Sequence, residues 1–431
     1  MYVKIFRQEP GDALPRTVEG TVIFADIQQP ARGTRIVVDV GEHDIGSVRS
    51  LADGYADETG RFRFTVPSGR YFCVRAYPPP DVPYLPFAES AVLADNGTVP
   101  NIDISLPVGI VVTGKVVEAQ TNEPVVGATI QYEGSIGGLT GIITGWQSAV
   151  SSDANGDFRL VVPAERGALF VYGPSYGYIL RMIEAKEFCK TVGRGRRHYA
   201  HASVPLDVNA DVSPSPITVF LHRSVPIRGR LVDPSGKPVK QALMLSRLCV
   251  SNDIAGFSGW PATVADGQFE LCGLDRQESA QVLFLDPKNR IGATVEISGE
   301  PRGDEPLVIQ LRPCGQATAR FVAPDGKPLV KFTPPLQIVV TPGPSFWTNN
   351  RERFDGEFIS DMTFVGNVDQ INHRPLPRTD RQGRCTFPAL IPGATYRLPQ
   401  LLASGKQDEF DFTVESGQYL QLPDITLTPE Y

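Results

Sequence analysis

No run of apolar residues in this sequence approaches the length that crosses a bilayer; the best, VGIVV at 108–112, is far too short. No charged segment followed by an apolar one stands at the start, where Met1 leads straight into YVKIF, so no secretory leader is read there. Positive charge is not in excess. The 41 Lys and Arg residues stand against 48 Asp and Glu, a net charge of −7, so the basic face of a nucleic-acid binder is not expected. Cysteine is sparse and scattered, at Cys73, Cys189, Cys249, Cys272, Cys314 and Cys385. None forms CxxC and none sits beside a histidine at zinc-ligand spacing. Buried free thiols are expected, with one pair among Cys249, Cys272 and Cys314 close enough in sequence for a disulfide. HExxH, Walker and dinucleotide glycine motifs are missing, so no metal or cofactor is implied. Helical pattern is scarce, the one candidate being YILRMIEAKEF (178–188).

What the chain has in abundance is turn residues. Gly and Pro number 41 and 38, about 18% together against an average of about 12%. That excess favours many short strands joined by turns. Disorder is excluded, because 41% of residues are hydrophobic. At 431 residues the chain is too long for one ordinary core.

Three signatures recur. Asp57-Glu-Thr-Gly60-Arg-Phe62, Asp153-Ala-Asn-Gly156-Asp-Phe158 and Asp380-Arg-Gln-Gly383-Arg-Cys385 each precede an apolar run, and Ala265-Asp-Gly267-Gln-Phe269 is a shortened cousin. Before each turn stands a strand-like opening and a Pro- or Gly-rich element: Gly20-Thr-Val22 with Pro30 to Gly33, Gly114-Lys-Val116 with Pro124 to Gly127, Gly229-Arg-Leu231 with Gly236-Lys-Pro238, and Ala319-Arg-Phe321 with Gly326-Lys-Pro328. After each turn comes a short closing strand: NIDISL (101–106), ITVFLH (217–222), LVIQLR (307–312) and ITLTPE (425–430). One unit is thus repeated four times with a period of roughly 90 to 115 residues, too long for a solenoid and suited to small β-sandwiches. In RFRFTVP (61–67) Phe62, Phe64 and Val66 are expected on one face and Arg61, Arg63 and Thr65 on the other.

The pattern G-x-V…G-K-P-V…D-x-x-G-x-F…V-P resembles the carboxypeptidase regulatory-like domain, a prealbumin-like (transthyretin-like) sandwich also grouped with carbohydrate-binding-like folds. The resemblance covers most of the chain. It departs from the family pattern in the first copy, which lacks GKP, in the second, which has Glu123-Pro-Val, and in the fourth, which opens on Ala319. It implies an all-β, tandem array of four prealbumin-like (Ig-like) Greek-key β-sandwiches with loop insertions. The expected boundaries are 1–107, 108–224 (insertion 173–203), 225–313 and 314–431 (insertion 343–377), joined by short linkers at LPVG (106–109) and RPCG (312–315). It also implies a non-catalytic accessory module, extracytoplasmic as in bacteria and attached to other domains. The strand-like start fits attachment to an upstream domain, and the last copy is expected to end on its closing strand.

Candidate sites stand beside plainer readings. Asp153, Asn155 and Asp157 suggest a calcium loop, but Gly156 comes too early and Ala164 occupies the place of the twelfth, bidentate ligand; a turn explains what the copies share. Gly173-Pro-Ser175-Tyr-Gly177 is a literal GxSxG, with His198, His201 and His222 as conceivable bases, but the βαβ rhythm of a nucleophile elbow is missing. His198 and His201 make an HxxH without a third ligand, and Lys190, Arg194, Arg196 and Arg197 make the most basic patch, an anion or partner contact or a solvated loop. Trp146, Trp260 and Trp347, with Tyr77, Tyr84 and Phe87 of YPPPDVPYLPF, either stack on sugar rings or cover the sandwich ends. Glu352, Asp355, Glu357 and Asp361 lie in an acidic insertion that fixes no carboxylate separation. The expected role is a non-enzymatic spacer or protein-interaction module. The alternatives are a polysaccharide-binding module and, more remotely, a serine hydrolase using Ser175.

Overall fold

The computed structural model describes residues 15–41, 49–93, 99–134, 141–184, 197–208, 214–248, 262–300, 305–334, 336–340, 364–367, 377–401 and 407–427. Among these the protein is all-β, and helix is confined to the 3₁₀ turn Gly145–Ser148.

One strand arrangement occurs four times. The opening strands Arg16–Phe24, Ile110–Glu118, Ile227–Val232 and Gly315–Val322 each lie in the middle of a three-stranded group. On one side each pairs antiparallel with the strand after the turn: Arg61–Val66, Asp157–Val162, Gln268–Leu271 or Arg384–Leu390. On the other side each pairs parallel with the closing strand: Ile104–Leu106, Ile217–Leu221, Leu307–Gln310 or Tyr419–Thr426. The remaining strands of each copy form a four-stranded group. In the first copy its order is Arg49–Tyr55, Arg35–Gly41, Tyr71–Tyr77, Phe87–Val92. Parallel pairing of first and last strands makes the chain leave each unit at the pole opposite its entry.

The layers close on alternating apolar side chains. In the first unit Val18, Val22, Phe62, Val66, Ile104 and Leu106 face Ile36, Val38, Phe72, Val74 and Ala76 in one buried cluster. Phe62 and Val66 are buried and Phe64 half-buried, while Arg61, Arg63 and Thr65 are exposed, as the period of two requires. Each fully buried large aliphatic or aromatic contributes about 1.5–3 kcal/mol.

The three signatures meet at one residue of each opening strand. The N–H of Val22, Val116, Leu231 and Phe321 donates to the carbonyl of Gly60, Gly156, Gly267 and Gly383 at 2.7–2.8 Å. The carbonyl of the same residue accepts from Ala31, Val125, Val239 and Leu329, each of which follows the proline of the second signature. Pro30 therefore does in the first copy, which lacks GKP, what Pro238 and Pro328 do in the others; all four prolines bridge the opening strand. The turn aspartates are consumed locally. Asp57 Oδ1 accepts from the N–H groups of Thr59 and Arg61, Asp153 Oδ1 from those of Asn155 and Asp157, and Asp380 Oδ1 from those of Gln382 and Arg384. This is Asx-turn chemistry, and it engages Asp153 Oδ1 with backbone N–H groups. The glycines after them have φ of +75°, +77° and +77°, and a Cβ on Gly156 would lie 2.5 Å from the carbonyl oxygen of Val116.

Three departures from expectation have local causes. In the third copy Asp266 and Gly267 have φ of 51° and 67° and make a tight two-residue hairpin, so Ala265 pairs with Gln268. The two strand groups, separate in the other copies, there run on into one eight-stranded sheet. In the segment expected to be helical, Arg181–Glu184 is a strand paired with Arg197–Ala200. The preceding N–H groups of Ile179 and Leu180 go to the carbonyls of His222 and Gly273, and long-range partners replace the helical ones. Cys73, Cys272 and Cys314 are free thiols, the reading expected for most of the cysteines; Cys189 and Cys249 lie outside the described residues. Burial pushes the Cys314 thiol up to about 12 and that of Cys272 to about 11, which keeps both unreactive at neutral pH.

The opening position, glycine in three copies, is a close approach. A Cβ on Gly114 would lie 2.2 Å from the carbonyl oxygen of Ile217 and 2.6 Å from the Phe158 ring, and Gly229 is similarly pressed by Phe269. Ala319 is accommodated because its closing strand bulges there, the register stepping from Thr318↔Gln421 to Arg320↔Asp424. We expect Gly114→Ala to lower the stability of the second unit by about 1–3 kcal/mol. Ala319→Gly should cost less than about 1 kcal/mol; denaturant titration of the intact chain checks both.

Candidate functional site

Of the six anticipated ligand-binding residues, only Trp146 has its side chain among the described residues. Trp146 lies in the 3₁₀ turn and is 57% exposed, so it covers no sandwich end. Trp260, Trp347, Arg194, Arg196, Glu352, Asp355, Glu357 and Asp361 lie outside the described residues, as do the side chains of Arg197 and His198. Tyr84 takes the covering role: it is buried, stacks on Phe24 at 4.1 Å and donates its hydroxyl to Asp26.

Ser175 is not set up as a nucleophile. The strand before it, Arg166–Tyr172, is antiparallel to both its neighbours, and the chain after it continues into strand Arg181–Glu184. A nucleophile elbow needs a parallel sheet and a following helix. The Ser175 hydroxyl accepts from the Gly177 N–H, and His201 Nδ1 is engaged as acceptor of the Gly173 N–H at 2.7 Å. His201 is buried between the rings of Tyr172 and Tyr178, and desolvation lowers its pKa to about 4. Nearby, Arg223 lies 4.3 Å over the Tyr178 ring and hydrogen-bonds Glu118, which holds the Glu118 carboxyl below its usual range. Among the described residues no group of His, Cys, Asp and Glu could hold a metal.

The insertion carrying the basic patch begins and ends as a clamp. Its hairpin lays Ile183 and Ala200 on Ala168, Phe170 and Tyr172, the outer face of the second unit's sheet. From the same hairpin Leu180 and Tyr199 enter the cluster that holds Leu248 and Leu274 of the third unit, and Arg181 meets Asp275 at 3.5 Å. The sequence left open an anion or partner contact or a solvated loop here; the described part of the insertion joins two units of the chain.

A cleft of about 770 Å³ lies between the first and second units. Its floor is the outer face of the four-stranded group, where register sets side chains in rows. Tyr55, Arg35 and Tyr77 form one row, Asp53, Val37 and Arg75 the next, and Ser50, Asp39 and Cys73 the third. Arg35 is paired to Asp53, whose carboxyl it holds below the ordinary range. Arg75 Nε meets Asp39 Oδ2 at 2.7 Å, and Arg75 Nη1 donates to the Tyr77 hydroxyl at 3.2 Å. Ser50 donates to Asp39, which is 5% exposed. Burial raises the Tyr77 pKa, so its hydroxyl stays protonated. Opposite stand Gln147 to Val150, beside Trp146, and Arg159, which donates to the carbonyls of Pro80 and Asp81. Arg35, Asp39, Asp53 and Arg75 were not anticipated from the sequence. The available signal was Asp39 inside the apolar run RIVVDV (35–40), a carboxylate that needs a buried partner.

No family model and no curated protein matches the chain. Among solved structures, the shaft pilin SpaA of Lactobacillus rhamnosus GG is 13% identical with a TM-score of 0.21, over 49% of this chain and 99% of that one. A streptococcal ancillary pilin is 13% identical with a TM-score of 0.27, over 69% and 98%. The Bacillus anthracis TIE protein is 11% identical with a TM-score of 0.18, over 98% and 76%. Likenesses at this level assign no activity or partner.

Two outcomes follow. Tyr199→Ala should cost about 3–5 kcal/mol and separate the calorimetric transitions of the second and third units. The folded pKa of His201 lies below its unfolded value near 6.5, so its contribution is present above that value and lost as pH falls towards about 4. A shift of this size corresponds to roughly 3 kcal/mol, and His201→Asn, which keeps an acceptor but does not titrate, should remove that part of the acid sensitivity.

Proposed function

We propose that the chain is a non-catalytic scaffold: four tandem prealbumin-like sandwich units, 1–107, 108–224, 225–313 and 314–431, that set a fixed spacing and present surfaces to a protein partner. The observation that carries this is the parallel pairing of opening and closing strands in every unit, which sends the chain on from the opposite pole. The junctions support it by leaving little slack. Gly109 donates to the carbonyl of Pro83, Leu85 donates to that of Pro107, and Val108 bridges Tyr84. At the last junction Arg312–Pro313 pairs with Ile291–Ser298, and Gly417 donates to the carbonyl of Pro313. One buried cluster runs on through the third and fourth units. Linkers held by hydrogen bonds and shared apolar contacts transmit orientation, whereas free ones do not. An extracytoplasmic setting and attachment to a further domain belong to this reading through the sequence resemblance alone.

The second reading is a carbohydrate-binding module. It is favoured by Trp146, a large exposed aromatic that directly precedes Gln147 in the cleft lining. Small-angle scattering of the intact chain tests the scaffold: we expect an elongated particle with a maximum dimension several times its cross-section, and a compact globule would contradict a spacer.

A further inference from the structure

We propose that the cleft between the first and second units binds a neutral oligosaccharide. The inference rests on the second reading above and assigns it a place. The volume of about 770 Å³ falls within the range of about 300–1,000 Å³ typical of small-ligand sites.

The chemistry of the floor selects the ligand class. Arg35 and Tyr77, partners on neighbouring strands, both line the cleft, with the planar guanidinium 6.0 Å from the centre of the Tyr77 ring. Trp146 is exposed and directly precedes Gln147, which lines the opposite wall. Sugar rings present apolar faces of C–H groups that lie on such planes and a rim of hydroxyls that both donate and accept. The Arg35–Asp53 pair offers donors and acceptors side by side in fixed geometry, half exposed to the cleft. Its charge is already matched within the protein, as is that of Arg75 by Asp39.

That matching argues against an anionic ligand, which would call for cations without carboxylates beside them. Arg159 is spent on the carbonyls of Pro80 and Asp81. A peptide adding as a strand is disfavoured by the edge itself. Arg49–Tyr55 is the border strand of its sheet, but its ladder breaks where Val38↔Ala52 steps to Asp39↔Ser50, leaving Leu51 as a bulge. Bulges of this kind blunt an edge against strand addition.

The test applies the intact chain to an array of neutral gluco-, xylo-, manno- and galacto-oligosaccharides beside uronate-bearing and sulfated ones, with hits measured by calorimetry. We expect a neutral oligosaccharide to bind, and Tyr77→Ala and Arg35→Ala each to weaken it about tenfold or more. Tyr176→Ala, at an exposed tyrosine outside the cleft, should leave affinity unchanged. Binding that survives Tyr77→Ala, Arg35→Ala and Trp146→Ala in folded protein overturns the cleft assignment while leaving the saccharide reading intact. A blank array overturns both, and binding confined to charged glycans overturns the neutral class.

Discussion

A single backbone amide stands at the centre of each unit: that of Val22, Val116, Leu231 and Phe321, donating to the carbonyl of a glycine with positive φ. All four residues are fully buried. A buried amide without an acceptor is costly, about 1–3 kcal/mol, so the turn has little freedom to drift once the strand is in place. The same residue's carbonyl holds the chain just after the proline of the second signature. Strand, turn and proline element are therefore locked by two hydrogen bonds on one residue, and the two layers close around it. The cleft floor, the junctions and the outer sheet faces all take their positions from this arrangement.

The copies differ where their sequences differ, and each change has a compensating one nearby. Ala319 adds a methyl group where three copies have none, and the closing strand steps aside by a bulge. The third unit shortens its turn to Asp266-Gly267 and fuses its two sheets. In that unit the Asx role appears one loop earlier, where Asp233 Oδ1 accepts from Ser235 and Lys237. The second unit's insertion, rather than hanging free, places Tyr199 and Leu180 in the core of its neighbour. A repeated fold thus becomes a coupled array through departures from the repeat.

The fold was legible because its determinants are local. Alternation in RFRFTVP, the D-x-x-G turns and the closing strands each depend on residues within one short stretch, and the structure repeats them. The candidate helix at 178–188 does not form over its described part, 178–184, because the partners of Ile179 and Leu180, the carbonyls of His222 and Gly273, are remote in sequence. The fused sheet was half legible: the loss of the turn aspartate, with Val264 in its place, was plain, but not that Ala265 would pair with Gln268. The cleft was least legible. Its floor needs Arg35, Asp53 and Tyr77 from three strands brought side by side by register, and nothing in one strand announces the other two. In sequence the signal was confined to Asp39 within its apolar run, the aromatic loop at the rim and Trp146.

Native-state hydrogen exchange measured residue by residue bears most directly on the central constraint. The amides of Val22, Val116, Leu231 and Phe321 should be among the slowest in their units, opening only with global loss of that unit's sandwich. Exchange at these four positions as fast as at the surrounding loop amides would contradict the account, because the corner would then be a passive consequence of the sheets rather than what holds them in register.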